Sequence, residues 1–287
     1  LQRLSTILEF MGKLRTPDGG LEGPSILEET KYLPSLRNCV WEASDRVVST
    51  PIIEQRPLGK SFQLAIRRAR LGVEILKRPS DDKTKFDLFQ RLNAGGTQAN
   101  PQELRNCIMI MINPAYFRAV KDAAETEPII RVIGVSEDQV ERQRHLELAV
   151  RVLVHSNVPY STNLDVEEYI DDGIVQLAAA GDAEKATRLL TRTFELLDRA
   201  AGNGALRRYE DGRHVGKVGL VALEGIAVGV AKNLLAIEAL PDAVGFVRGK
   251  LQEFWSQPEA ARFVSPGLRG TTRIQRTVPF GADWFRP

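Results

Sequence analysis

Apolar positions at the start of the chain follow a helical period. Leu4, Ile7, Leu8 and Met11 fall at i, i+3, i+4 and i+7, which predicts a helix that begins at or before Leu1 without a cap in front of it. These residues also lack the basic start, apolar core and small-residue cleavage site of a secretory signal. We therefore expect the natural protein to have a further segment before Leu1.

Turn signals and apolar patterns organise the next part of the chain. The Gly- and Pro-rich stretch 16–35 predicts a loop, and 39–53 fits no single element. Helical spacing predicts a helix over 61–70, and alternation of apolar and polar residues predicts a strand over 71–76.

Two more helices follow, separated by a glycine loop. Residues 80–82 (SDD) supply N-cap side chains and negative charge for the first helix, and 93–96 (NAGG) are expected to end it. Residues 100–103 (NPQE) then combine an N-cap Asn, Pro at the first helical position and a Glu placed to close a capping box. We expect this second helix to run to about Ile112.

Everything later has a helical pattern. A capping box at 136–139 predicts a helix that reaches about His155 with one apolar face. A second amphipathic helix over 186–197 is expected to end at Gly202. Residues 216–235 are mostly apolar and hold three glycines, which indicates a buried helix packed closely against a neighbour.

These patterns predict an α+β chain that is predominantly helical. A change of composition near residue 126 divides it into a small α/β core over 1–126, an all-helical domain over 127–261 and a basic C-terminal arm over 262–287.

The C-terminal arm has five arginines against one aspartate. Pro266 and Gly267 interrupt any helix, so an extended arm that contacts phosphate is one expectation. Its DNA-contacting residues would be Arg269, Arg273 and Arg276. The alternative, equally supported, is an arm packed on its own domain through Phe280, Trp284 and Phe285.

Overall composition excludes several classes of protein. The chain has 287 residues, 43% of them apolar and 26% charged, which is unlike a disordered, collagen-like or coiled-coil chain. Its net charge of +2 means that any anion site is local. Cys39 and Cys107 make no disulfide framework, which favours a reducing cytoplasm. Since no apolar run approaches about 18 residues, we expect no membrane partner.

Histidine chemistry is sparse. His145, His155 and His214 have no zinc-ligand spacing, and the cluster of a His-centred metal nuclease is missing, so we assign no metal site. His145 and His155 lie in a predicted helix as surface or core residues, and His214 follows an apparent turn.

The glycine loop is a candidate anion site. Gly95, Gly96 and Thr97 lead into a capped helix whose free N–H groups and dipole can receive a phosphate. Arg91 precedes this loop, and Arg105 lies about one turn inside the helix; a guanidinium binds phosphate through paired hydrogen bonds. An ordinary turn before a helix is the alternative.

A family resemblance strengthens the nucleotide interpretation. Residues 89–97 (FQRLNAGGT) and 100–106 (NPQELRN) resemble the F-x-R-x-N-x-G-G-T and P-x-E-L-R-N signature of the N-terminal domain family of GmrSD restriction systems. Residues 1–6 (LQRLST) resemble the end of its other signature, D-G-Q-Q-R-L-[ST]-T, with Leu1 in place of the first Gln and the Asp-Gly pair falling before residue 1. The resemblance covers 1 to about 115 and extends only loosely beyond.

This resemblance implies a ParB/sulfiredoxin-like nucleotide-binding core over 1–126, without its first strands. It implies a pocket for GTP or ATP with Mg²⁺. The residues carried over to that pocket are Gln2, Arg3, Arg91, Asn93, Gly95, Gly96 and Thr97. Glu103 also matches but has a capping role, and Arg105 is expected to pair with a carboxylate in the core. The missing Asp is the expected metal- or water-positioning acid, so NTP hydrolysis stays open.

In such relatives a second domain or partner, often of His-Asn-His type, cuts foreign or modified DNA. The expectation is a cytoplasmic, nucleotide-binding regulatory or DNA-sensing module of a prokaryotic restriction or anti-phage system. It would lack its own nuclease site and act with DNA and a nuclease, as a monomer or an oligomer. The alternative is a DNA-binding or scaffolding protein with a degenerate pocket. A third is an NTP-dependent endonuclease whose site no motif reveals.

Overall fold

The fold is described from a computed structural model, which covers residues 2–16, 18–49, 52–70, 100–161, 164–264 and 267–287. The chain divides into two compact units, residues 1–75 and 76–287. Two predicted elements, the strand over 71–76 and the helix after residues 80–82, lie outside the described residues.

The first unit is small and loop-rich. Its elements among the described residues are α1 (Gln2–Phe10), a 3-10 helix (Pro34–Leu36), β1 (Cys39–Val40), β2 (Arg56–Pro57) and α2 (Lys60–Arg68). The strands β1 and β2 pair in parallel, and Phe10, Trp41 and Leu58 form the core of this unit. The predicted helices at the chain start and over 61–70 are therefore confirmed to within about two residues, as is the loop between 16 and 35.

From residue 100 onward, the described part of the second unit is helical except for one short hairpin. The helices before the hairpin are α3 (Pro101–Ile112), α4 (Pro114–Ala124), α5 (Glu127–Ile133), α6 (Glu137–Glu141), α7 (Arg144–Asn157), α8 (Val166–Ala180) and α9 (Ala183–Ala201). The hairpin consists of β3 (Arg208–Glu210) and β4 (Arg213–Val215). The later helices are α10 (Leu220–Ala222), a π-helical turn (Leu223–Ala227), α11 (Val228–Lys232), α12 (Leu234–Glu238), α13 (Ala243–Phe254), α14 (Pro258–Phe263) and α15 (Gly270–Trp284). The predominantly helical α+β class is confirmed.

Helix α7 is the centre of the second unit. It packs against α4, α8, α9 and α11, so its residues are buried on every side rather than on the single predicted face. The predicted continuous helix from Ser136 is wrong in one detail. Gln143 has a φ of 58°, which is outside helical geometry and separates α6 from α7.

Glycines allow α15 to approach the π-helical turn and α11. A Cβ built on Gly281 would overlap the carbonyl oxygen of Gly225, and one on Gly229 would lie 2.5 Å from the carbonyl oxygen of Gly281. The predicted close packing of the 216–235 segment is confirmed, and its partner is the C-terminal helix.

The expectation of an extended C-terminal arm is wrong. Helix α15 buries Ile274 and Thr277, and Phe285 belongs to the core, with Phe280 and Trp284 packed against it. The alternative of a tail packed on its own domain is therefore confirmed. Pro266 and Gly267 precede the first residue of this helix and so do not interrupt it.

The compact units also do not divide at residue 126. Helix α3 packs against α8, and α4 packs against α9, so both belong to the helical unit. The change of composition near residue 126 marks only the start of α5.

Candidate functional site

The structure describes the helical half of the second motif. Asn100 caps α3: its Oδ1 accepts a hydrogen bond from the Glu103 N–H at 2.9 Å, and Glu103 Oε2 accepts from the Asn100 N–H at 2.8 Å. This is the predicted capping box, which satisfies two otherwise unpaired donors. Glu103 is thus a structural residue of the motif, and α3 begins at Pro101, a few residues after the predicted glycine loop.

Arg105 anchors α3 inside the helical unit. Its side chain is 0% exposed; Nε donates to Asp171 Oδ1 at 2.7 Å, and Nη2 donates to Glu167. Both carboxylates project from α8, one turn apart. The expected pairing of Arg105 with a carboxylate is therefore confirmed, and its charge is neutralised within the protein.

Asn106 adds a second anchor on the same helix. Its Oδ1 accepts from Gln102 Nε2 at 2.8 Å, and its Nδ2 donates to Gln143 Oε1. Gln143 is the positive-φ residue between α6 and α7. The two matching motif residues, Arg105 and Asn106, thus fix α3 to α8 and to the start of α7.

The ionic network continues through Arg151 on α7. Its Nη2 donates to Glu167 at 2.5 Å and its Nε to Glu147 at 3.1 Å. Burial would raise the pKa of Glu167, but the hydrogen bonds and charges of Arg105 and Arg151 outweigh it, and the pKa is lowered. Burial raises the pKa of Asp171, and the rise persists because Arg105 is the one group that opposes it. Glu167 therefore joins α3, α7 and α8 as a carboxylate.

Arg273, one of the three arginines predicted to contact DNA, has an internal partner. Its guanidinium donates to both carboxylate oxygens of Glu224, at 2.9 and 2.8 Å, and the Thr277 hydroxyl donates to the same carboxylate at 2.8 Å. Glu224 is 1% exposed and lies in the π-helical turn. The other two, Arg269 and Arg276, are exposed, and neither forms an ion pair within the described part of the chain.

A cavity of about 560 Å³ lies beside the β3–β4 hairpin, and we call it the hairpin cavity. Trp255 contributes an aromatic face to its wall, with the Arg208 guanidinium 5.4 Å from the ring centroid. Lys217 and Arg273 also line it, and Glu210 is the acidic residue of the wall. A flat ligand with an anionic group fits this chemistry.

The remaining predicted pocket residues lie wholly or in part outside the described set. Gln2 and Arg3 stand in the first turn of α1, but their side chains are outside the described set. Arg91, Asn93, Gly95, Gly96 and Thr97 all lie outside the described residues.

Sequence reasoning missed the buried acid of the second unit. Glu224 interrupts the apolar run 216–235, and an acid in such a run is the available signal that a buried cation lies opposite. Its partner Arg273 is 49 residues away and was expected to contact DNA.

The described ranges contain neither a metal-binding cluster nor a membrane-spanning helix. No group of three or more His, Cys, Asp and Glu side chains there is placed to hold a metal ion. No helix among those residues is long and apolar enough to cross a bilayer.

Comparisons of the chain with protein-family models, with curated proteins and with solved structures gave no significant match.

Proposed function

We propose that the chain is a nucleotide-binding regulatory module of a prokaryotic restriction or anti-phage defence system. The observation that carries the proposal is the pair of motifs, residues 1–6 and 89–106, which stand about 90 residues apart as in the GmrSD N-terminal family. The ligand is GTP or ATP with Mg²⁺, and the pocket belongs to a ParB/sulfiredoxin-like core. The protein acts in the cytoplasm and detects DNA with a separate nuclease domain or partner.

The structural roles of α3 support a division of labour within the second motif. Glu103 caps the helix and is itself an anion, and Arg105 is neutralised by Glu167 and Asp171. Neither side chain can therefore neutralise a phosphate. That task falls to the loop, where Arg91 offers a guanidinium and Thr97 a hydroxyl.

The same network supplies a route for regulation. Glu167 is hydrogen-bonded to Arg105 of α3 and to Arg151 of α7, the central helix. A nucleotide that shifts the loop would strain α3, and the ion pairs would carry that strain to α7. A change at the nucleotide is thereby transmitted to the surface that meets DNA or the nuclease.

Thermal unfolding with and without nucleotide tests the proposal. At a hundredfold excess over Kd, a ligand stabilises the native state by about 2.7 kcal/mol, or roughly 5–10 °C in Tm for a domain of this size. We expect this shift with GTP or ATP and Mg²⁺, and its loss in Arg3→Ala and Arg91→Ala. Arg118→Ala, an exposed change on α4, is the matched control. No shift with either nucleotide would refute the proposal.

The hairpin cavity is the competing place for a nucleotide in the described structure. Lys217→Ala removes one of its exposed cations without touching the motifs. Nucleotide stabilisation that is lost in Lys217→Ala and kept in Arg91→Ala would place the ligand there and contradict the motif site. The opposite pattern supports the motif site.

A DNA-binding or scaffolding role is the second candidate, favoured by the exposure of Arg269 and Arg276. Deleting residues 262–287 would remove α15 and its core contacts, so point variants are required. Arg269→Ala with Arg276→Ala should reduce DNA affinity and flatten its salt dependence by about two phosphate contacts. DNA binding that is indifferent to this change would exclude Arg269 and Arg276 as the DNA contacts, and no binding of DNA would exclude the DNA-binding role. Cleavage of DNA by the chain alone would instead establish an endonuclease.

A further inference from the structure

A second cavity, of about 310 Å³, opens beside α7 and α15 and is independent of the nucleotide motifs. We call it the His155 pocket. Its polar wall is formed by His155, Lys232 and Gln275, and its aromatic wall by Tyr160 and Tyr169. The rest of the wall is aliphatic or proline. Such a pocket has one polar end and an apolar body.

His155 is an unusual core residue. It is 2% exposed, and neither ring nitrogen has a hydrogen-bond partner among the described residues. Its ring packs on Tyr169 with the centroids 5.5 Å apart. Buried polar atoms are nearly always satisfied, so two unsatisfied nitrogens on a residue that lines a cavity indicate that a ligand meets this side chain there.

The other polar groups of the pocket differ in how many of their hydrogen-bond donors already have a partner in the protein. Tyr169 donates its hydroxyl to the Val158 carbonyl at 2.7 Å, and Tyr160 donates to the Leu164 carbonyl at 2.9 Å. Lys232 donates to the Ser156 carbonyl at 3.3 Å, which leaves two of its three ammonium protons for a ligand. The described residues give Lys232 no carboxylate partner. The tyrosines therefore present ring surface, and Lys232 presents charge.

The electrostatic field at the ring is positive. Burial and the charges of Arg151, Arg273 and Lys232 lower the pKa of His155 to about 3, so the ring is neutral at pH 7 and has one donor and one acceptor nitrogen. Arg151 and Arg273 are each paired with glutamates, whereas Lys232 is not. An anion that receives hydrogen bonds from Lys232 and the His155 N–H would complete the site.

We propose that the His155 pocket binds a small monocarboxylate with an apolar body. The carboxylate accepts hydrogen bonds from the Lys232 ammonium and the His155 ring N–H, and the body packs between Tyr160 and Tyr169. A phosphate ester is less suited, because a dianion would need a second unpaired cation that the described wall does not provide.

Binding of three probe anions, benzoate, phenylacetate and hexanoate, tests the proposal. Titration calorimetry or ligand-observed NMR should detect at least one of them. Benzamide and benzylamine, which match benzoate in shape, should bind about tenfold more weakly or not at all, because the charge-assisted hydrogen bonds are lost. Failure of all three carboxylates to bind would overturn the proposal. So would equal binding of benzamide or benzylamine, which would mark an apolar cavity without anion preference.

Two variants locate the site. Lys232 is exposed, and Lys232→Met keeps an unbranched side chain while removing the ammonium group. This change should weaken binding of the carboxylate about tenfold or more, as should His155→Phe. Lys185→Met, an exposed lysine on α9, should bind like the unmodified chain. Should His155→Phe fail to fold, Lys232→Met still decides. Unchanged affinity in Lys232→Met would contradict the proposal, whatever the result for nucleotides.

Discussion

Replacing Arg105 by Met is the sharpest test of the network that joins the second motif to the helical unit. The change keeps an unbranched apolar side chain and removes the guanidinium. Asp171 then has no hydrogen-bond partner among the described residues, and Glu167 keeps only Arg151. A buried carboxylate without its cation is strongly unfavourable.

The expected cost follows from exposure. Removing one partner of a buried ion pair typically costs about 3–5 kcal/mol. The Glu167 side chain is 48% exposed and remains paired, so solvent screens its share, whereas Asp171 is only 20% exposed. We expect Arg105→Met to lower the free energy of unfolding by about 3 kcal/mol at pH 7.5.

Acid should recover part of this loss. Burial already raises the pKa of Asp171, and Arg105 is the main group that opposes the rise. Without Arg105 the folded-state pKa moves further above the unfolded one, so the variant takes up a proton on folding as pH falls. The penalty of the buried charge is then present at neutral pH and disappears as pH drops through the raised pKa.

Urea denaturation followed by circular dichroism at pH 7.5, 6 and 5 measures both effects. Arg188→Met is the control, since its ion pair with Glu184 is exposed and is expected to contribute less than about 1 kcal/mol. A cost of Arg105→Met no larger than that of the control, or a cost that grows as the pH falls, would contradict this prediction.

Two further outcomes follow from the core. The pKa of His155 is about 3 in the folded chain, below the value near 6.5 expected when the chain is unfolded. The free energy of unfolding of the unmodified chain should therefore fall, relative to that of His155→Phe, by up to about 1.4 kcal/mol per pH unit between roughly pH 6 and 3. Parallel curves of unfolding free energy against pH for the two proteins would contradict this. Gly281→Ala places a Cβ against the Gly225 carbonyl and should lower the free energy of unfolding by about 1–3 kcal/mol. In the control Gly249→Ala, no atom lies within 4 Å of the new Cβ, so the change should stabilise α13 by about 0.5–1 kcal/mol. Equal melting temperatures of the two variants would show that α15 is not closely packed.

Local signals in the sequence predicted local structure well. The capping box at Asn100 and the end of α9 at Gly202 depend on residues a few positions apart, and both are present in the fold. The same holds for the interpretation of Arg105 as a paired core residue, because an arginine on the inner face of a helix needs a carboxylate. Its partners, 62 and 66 residues further on, could not be identified from spacing.

Predictions that depended on long-range packing were less accurate. The arginines near the C-terminus suggested a solvated arm, although Ile274, Phe280 and Phe285 supply apolar positions for a packed helix. The π-helical turn holds Glu224, which pairs with Arg273, and no helical period reveals either feature. The nucleotide loop at 93–97 remains a prediction.

Titration calorimetry of GTP and ATP with Mg²⁺ into the chain, into Arg91→Ala and into Lys217→Ala tests the central claim most directly. The account predicts saturable binding of one nucleotide per chain, weakened about tenfold or more by Arg91→Ala, because a bidentate phosphate contact is lost. It predicts unchanged binding by Lys217→Ala. No measurable binding of either nucleotide, or binding that Arg91→Ala leaves intact, would contradict it.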